Sequence, residues 1–280
     1  MTDRVITEFA PAKVNLALHI TGQRADGYHL LDSLVAFAGI GDQISVGPAD
    51  KLSLQVSGND IEDVPSDARN LVWKAAQFLD ASGTAEIKLN KVLPSASGIG
   101  GGSSDAAAAL RALSSLWGTT LPRPAETLEL GADVPVCMAP KPQRMQGIGE
   151  ILSPGPMLPQ LHLVLANPRV GLSTPAVFGR MRQKTNAPLS PFDAHYDVQT
   201  FIDWLSAQRN DLQAPAVEAL PVIAQVLDEI AQTEGCLLGR MSGSGATCFG
   251  LYANAMDAHQ AEAALCKEHA DWWVASGPVL

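Results

Sequence analysis

Residues 12–20 alternate strictly. Val14, Leu16, Leu18 and Ile20 are apolar and fall on one face, while Lys13, Asn15, Ala17 and His19 fall on the other. A period of two marks a strand with one buried face, and it sets Lys13 and Asn15 side by side. On an ordinary strand that second face would meet solvent. Further strands are expected at about 30–38, 84–89 and 161–166. Leu71, Ala75, Phe78 and Leu79 recur at helical spacing and predict a helix over 69–80 with one core face. The run Asp105 to Leu113, rich in alanine, has strong helix propensity. Ser103 or Ser104 is expected to cap it, and Asp105 suits the positive end of its dipole. Helices near 174–183, 197–208, 214–232 and 255–267 and strands at 236–240, 247–252 and 272–275 complete the pattern. The proline- and glycine-rich run Ser153 to Pro159 is the best boundary, giving lobes 1–155 and 156–280 of an α+β protein.

Between the strand at 84–89 and the alanine-rich helix lies Pro94-Ser95-Ala96-Ser97-Gly98-Ile99-Gly100-Gly101-Gly102-Ser103-Ser104. Glycines let a backbone approach an anion and present several N–H groups together. A helix starting there adds positive partial charge. Such a loop is a phosphate cradle or a flexible turn. It is not a Walker A loop, because no Gly-Lys pair occurs in the chain. It is a poor dinucleotide fingerprint, because Ser103 stands at the third glycine. The protein-kinase elements H-R-D and D-F-G are absent.

Composition narrows the ligand. The chain has 280 residues, 46% hydrophobic and 17% charged, which suits a globular enzyme. Its net charge of −10 argues against a nucleic-acid surface, so a phosphorylated ligand must be held by locally concentrated donors. No apolar run reaches the roughly 18 residues of a membrane helix, and no signal-peptide core is seen near the N-terminus. The four cysteines are dispersed without a C-x-x-C, and Cys266 with His269 makes only half of a zinc motif. A reducing cytoplasm is the expected compartment.

Three segments in order carry more weight than any one of them. They are Pro11-Ala12-Lys13-Val14-Asn15-Leu16, the glycine-rich run at 94–107 and Ser242-Gly243-Ser244-Gly245-Ala246-Thr247. This order resembles the GHMP family of small-molecule kinases. Thr21 to His29 and Leu130 to Val136 narrow the likeness to members with a cytidine diphosphate substrate. The resemblance implies a ribosomal-protein-S5-like N-terminal lobe and a ferredoxin-like C-terminal lobe. It implies ATP as phosphoryl donor with Mg2+, a 2-hydroxyl acceptor in isoprenoid precursor synthesis, a monomer or weak homodimer, and no nucleic-acid or membrane partner. It assigns Lys13 and Asp133 as the catalytic pair. It gives the ATP phosphates to Pro94–Ser104 and places Asn70 near the adenine. Asn15, Tyr28, His29, Thr174, Pro175 and Phe178 then form the substrate site, with cytosine between Tyr28 and Phe178 and His29 at its edge. Another GHMP kinase, such as one acting on homoserine, is the alternative, as is a non-catalytic ligand-binding member. Two stretches depart from the family pattern, the short run 117–130 and the basic, proline-rich run 137–144. Asp105 stays open between a magnesium ligand and a helix cap.

Overall fold

The structure, a computed structural model, describes residues 4–59, 61–95 and 97–280. The chain forms two compact units that interleave in sequence. Met1–Ala12, Gly41–Ser95 and Gly100–Pro140 make the first, and Lys13–Ile40, Ala96–Ile99 and Lys141–Leu280 the second. The boundary expected at 155 therefore falls inside the second unit. The reason is that two long strands, β1 (Ile6–Gln23) and β2 (His29–Gly47), each give one stretch to either unit.

The first unit continues with β3 (Ser53–Gly58), α1 (Leu71–Leu79), β4 (Glu86–Lys91), α2 (Gly101–Trp117), a 3-10 turn at Pro124–Glu129 and the short α3 (Val134–Cys137). β3 and β4 pair in parallel, joined by the α1 crossover, and Gln43–Gly47 of β2 pairs antiparallel with β4. Asn70 caps α1 by accepting the Val72 N–H at 2.8 Å, and Val72, Ala75 and Ala76 form its buried face. In α2 the residues Ala106 to Ala109 are fully buried, small enough to let α1 pack close. The helix begins earlier than its serines suggested. Gly100, at φ 64°, is the N-cap, Gly101 is the first helical residue, and Ser103 and Ser104 lie in the first turn. A positive φ at that position favours glycine over serine. Gly118, at φ 67°, ends the helix in the same conformation.

In the second unit Leu31–Val35 of β2 pairs antiparallel with β5 (Gln143–Gly147), which pairs in turn with β6 (Ile151–Pro154). Part of the atypical stretch at 137–144 is thus a strand rather than a loop. Arg144 earns its place there through two hydrogen bonds, of 2.8 and 2.6 Å, to the buried carboxylate of Asp32. Next come β7 (His162–Asn167), α4 (Thr174–Arg180), α5 (Val198–Ser206), α6 (Gln213–Ala219), α7 (Val222–Gln232), β8 (Leu238–Met241), β9 (Cys248–Tyr252), α8 (Ala255–Glu268) and β10 (Trp273–Pro278). The last four strands order as β10-β7-β9-β8, all antiparallel, with α7 packed on β8 and β9 and α8 on β7 and β10. This is the ferredoxin-like order the family implies. The helix expected over 214–232 is two helices. Leu220 leaves helical geometry (φ −143°, ψ 86°), as a residue before proline tends to, and Pro221 supplies no N–H. Among the described residues no helix is long and apolar enough to cross a membrane.

Candidate active site

The polar face of β1 is buried rather than solvated. Lys13 is 3% exposed, His19 1% and Asn15 fully enclosed. His19 is a structural tie. Its Nδ1 lies 3.0 Å from the Ala187 carbonyl, and its Nε2 accepts the Arg209 N–H at 3.1 Å. Burial, and then the charge of Arg209, lowers its pKa and favours the neutral ring this arrangement needs. Lys13 donates to Asn15 Oδ1 at 2.9 Å, and Asn15 Nδ2 donates to Ser33 Oγ at 2.8 Å. The Ser33 hydroxyl passes on to the Ala17 carbonyl at 2.6 Å. The amide of Asn15 is thereby oriented, with its carbonyl aimed at the lysine.

The tip of the glycine-rich loop belongs to the same unit. Ile99 accepts the Lys13 backbone N–H at 2.8 Å, and Ser97 accepts that of Thr247 at 3.2 Å. Ser242 Oγ accepts the Asn15 N–H at 3.1 Å and lies 3.3 Å from the Gly98 carbonyl. The Ser242–Thr247 motif therefore shapes this corner by packing on the loop. Gly98, at φ +76°, has no room for a side chain, because a Cβ there would sit 2.5 Å from the Gly245 carbonyl oxygen. Ala96 lies outside the described residues.

Where the loop enters α2, in the first unit, the glycines mean something else. Gly101 has helical backbone, and a Cβ on it would make only ordinary contacts, the nearest at 3.6 Å. Gly102 is exposed, and a Cβ there would meet only Leu71, also at 3.6 Å. The protein itself does not demand glycine at either position, and both lie in the first turn of α2, whose N–H groups have no carbonyl partner within the helix. Ser103 is half-buried and Ser104 buried in the same turn. Pro94 is buried and Ser95 exposed at the loop's start. The turn carrying Asp133 lies beside this helix end, since a Cβ on Gly131 would stand 4.0 Å from Ser103 Oγ. Asp133 is the half-buried N-cap residue of α3, which makes no capping bond with its side chain. Arg111 of α2 fixes α3 by donating to the Cys137 carbonyl at 3.1 Å while pairing with Glu8 at 2.9 Å. Asn70 is less free than expected near an adenine. Its carbonyl caps α1, and its Nδ2 donates to the Pro65 carbonyl at 2.7 Å, leaving one N–H.

The residues expected to recognise the base all lie in the second unit. His29 stacks on Phe178 with ring centroids 4.7 Å apart and 18° between planes. His29 Nδ1 is buried and has no hydrogen-bond partner. Burial, and then the charge of Lys184, lowers its pKa. Tyr28 is 62% exposed on the turn before it. Thr174, the first residue of α4, shares a 2.7 Å hydrogen bond between hydroxyls with Ser244, and Pro175 follows it exposed. The imidazole thus covers one face of Phe178, the ring expected to stack on a base.

Sequence reasoning missed a buried charged triad in the first unit. Lys91 pairs with Asp42 and, at 2.9 Å, with Asp105 Oδ2; all three side chains are 5% exposed or less. Burial alone would lower the Lys91 ammonium, but the two carboxylates outweigh it and hold its pKa above the ordinary value. Asp105 is neither in the first turn nor a cap.

Comparison with known proteins identifies the family. The GHMP kinases N terminal domain matches residues 70–144, and the GHMP kinases C terminal domain matches 195–271. A 4-diphosphocytidyl-2-C-methyl-D-erythritol kinase of Ruegeria pomeroyi is 53% identical over 98% of this chain and 99% of its own. A crystal structure of 4-(cytidine 5'-diphospho)-2C-methyl-D-erythritol kinase superposes with a TM-score of 0.80 at 30% identity, covering 98% of this chain and 99% of that one. Homoserine kinase from Cytophaga hutchinsonii shares the fold, with a TM-score of 0.68 at 17% identity over 100% of this chain and 96% of its own.

Proposed function

The chain belongs to the GHMP kinase family, and from that premise we propose that it transfers the γ-phosphoryl group of ATP to the 2-hydroxyl of 4-diphosphocytidyl-2-C-methyl-D-erythritol. Phosphoryl transfer through a loose transition state asks a protein for alignment and charge stabilisation more than for covalent chemistry. The backbone N–H groups at Gly101 and Gly102, at the positive end of α2, hold the phosphates. Asp133 orients the acceptor hydroxyl and takes its proton late in the transfer. Lys13, aimed by Asn15, stabilises charge on the transferring group. Among the described residues no group of three His, Cys, Asp or Glu side chains could hold a metal. Magnesium would come with the co-substrate and would supply neutralisation of the charge that develops on its phosphates.

The observation that carries the choice of acceptor is the His29–Phe178 pair with its unpartnered Nδ1. A flat base needs a π-face and an edge partner, and a small aliphatic acceptor such as homoserine needs neither. On binding, the base takes the Phe178 face, the imidazole moves to its edge, and the exposed Tyr28 closes over it. Thr174, Pro175 and Asn15 complete the substrate side.

An ADP-release assay run side by side with the cytidyl substrate, homoserine and mevalonate tests the proposal. Turnover is expected with the first alone. Turnover on homoserine or mevalonate without the cytidyl substrate overturns it. The phosphate cradle has its own test. Because Gly101 has space for a methyl group within the protein, Gly101→Ala is expected to fold normally. It should raise KM for ATP about tenfold or more by spoiling close approach, with KM for the acceptor little changed. Equal effects on both substrates would count against the cradle.

A further inference from the structure

The glycine-rich loop is tied down at both ends by one buried ammonium. On the incoming side, Asp42 of β2 accepts the backbone N–H groups of Val92 and Leu93 at 2.5 and 2.8 Å through Oδ1, and the Lys91 ammonium through Oδ2. On the outgoing side, Lys91 donates to Asp105 in the second turn of α2. A Cβ on Gly101 would lie 3.6 Å from Lys91 Nζ, so the ammonium stands directly behind the first residue of the helix. Asp105 Oδ1 is buried with no partner at all. A buried triad of this kind is a poor source of stability, since apolar residues of similar volume often serve as well or better. The three charges have a better use as a gauge of distance. They join the strand that enters the loop to the helix that leaves it.

We infer that Asp105, acting through Lys91, is a positioning residue for ATP: the shared ammonium sets the span of the loop, and so aims the N–H groups of the first α2 turn at the phosphates. The inference rests on the reading of this loop as the ATP site and adds a residue to it. Burial, and then the charge of Asp42, pushes the pKa of Asp105 up against the pull of Lys91. Asparagine has the same shape and keeps an oxygen for Lys91, which makes it the conservative variant.

The test is equilibrium binding of a non-hydrolysable ATP analogue, by calorimetry, to the wild-type protein, Asp105→Ala, Asp105→Asn and Lys91→Met. Thermal melts on each sample confirm folding, and steady-state kinetics with both substrates follow. Asp105→Ala is expected to weaken analogue binding at least about fivefold and to raise KM for ATP in step, with KM for the cytidyl substrate unchanged. Asp105→Asn should stay within about twofold of wild type. Lys91→Met leaves two buried carboxylates unpaired, and Asp105→Ala carries the test if that variant fails to fold. Analogue binding unchanged in a folded Asp105→Ala, or equal loss of affinity for both substrates, overturns the positioning role. Failure of the wild-type protein to bind the analogue overturns instead the ATP reading beneath it.

Discussion

Replacing Asp133 by alanine is expected to lower kcat at least about 10²-fold, the scale set by loss of a proton-transfer group. The position suits a clean test. Asp133 is half-buried, caps the short α3 through its backbone, and makes no capping bond with its side chain. Arg111 holds α3 from the other end through the Cys137 carbonyl, so the turn should survive the change. KM for ATP should stay close to wild type, because the loop proposed to bind it is untouched. Asp133→Asn keeps the shape and removes the base, and is expected to be nearly as damaging. Lys13→Met should cost kcat a similar factor, and if both serve one step as proposed, the double variant should be little worse than either. Lys13 is the harder case. It is 3% exposed, and its loss strips a hydrogen bond from the buried Asn15 carbonyl, at a cost of about 1–3 kcal/mol. Melting curves must therefore accompany its kinetics. Near-normal turnover in Asp133→Ala would show that the proton leaves by another route.

The elements that local pattern controls were readable. The alternation at 12–20, the helical spacing at 69–80 and the helix near 255–267 all lie where they were expected. What local pattern does not control is burial by distant partners. Lys13, Asn15 and His19 have the spacing of a solvent face, yet they are enclosed by Ser33, Ser242, Ala187 and Arg209, up to 227 residues away. Helix starts were misjudged where conformation outranks side-chain chemistry, as at Gly100, where serine would be the usual cap. The triad was the most legible of the features overlooked. In β4, Ile87, Leu89 and Lys91 share the buried parity, with Lys88 and Asn90 on the other. A lysine in apolar register demands a buried carboxylate, and Asp42 and Asp105 were there to supply one. Their distance in sequence, 49 and 14 residues, hid the pairing. Motif order supplied the candidate site residues, but it could not show His29 lying on Phe178.

Phe178→Ala is expected to raise KM for the cytidyl substrate roughly 5- to 150-fold, with kcat changed much less. The estimate is the worth of one base–aromatic stack, about 1–3 kcal/mol by alanine substitution. In the free protein the His29 ring covers Phe178 at 4.7 Å, so displacing it offsets part of the stack and sets the expectation in the lower half of that range. His29→Ala should be milder than Phe178→Ala, because it leaves the stacking platform. Phe178→Trp should be tolerated better than Phe178→Leu, since only tryptophan keeps a π-face. KM for ATP should not move. Acidity offers an independent reading of the same pair. With its pKa lowered by burial and then by Lys184, His29 takes up a proton at a lower pH than a free imidazole. Protonation removes the free nitrogen acceptor, so KM for the cytidyl substrate should rise as pH falls through that lowered pKa. In His29→Ala this rise should vanish. The diphosphate separates the base from the reacting hydroxyl, so the effect belongs on binding rather than on chemistry. A fall in kcat with KM unchanged would place Phe178 in alignment of the hydroxyl instead. If neither constant changed, stacking on Phe178 would be excluded, and with it the physical ground for preferring this acceptor over the smaller ones of the family.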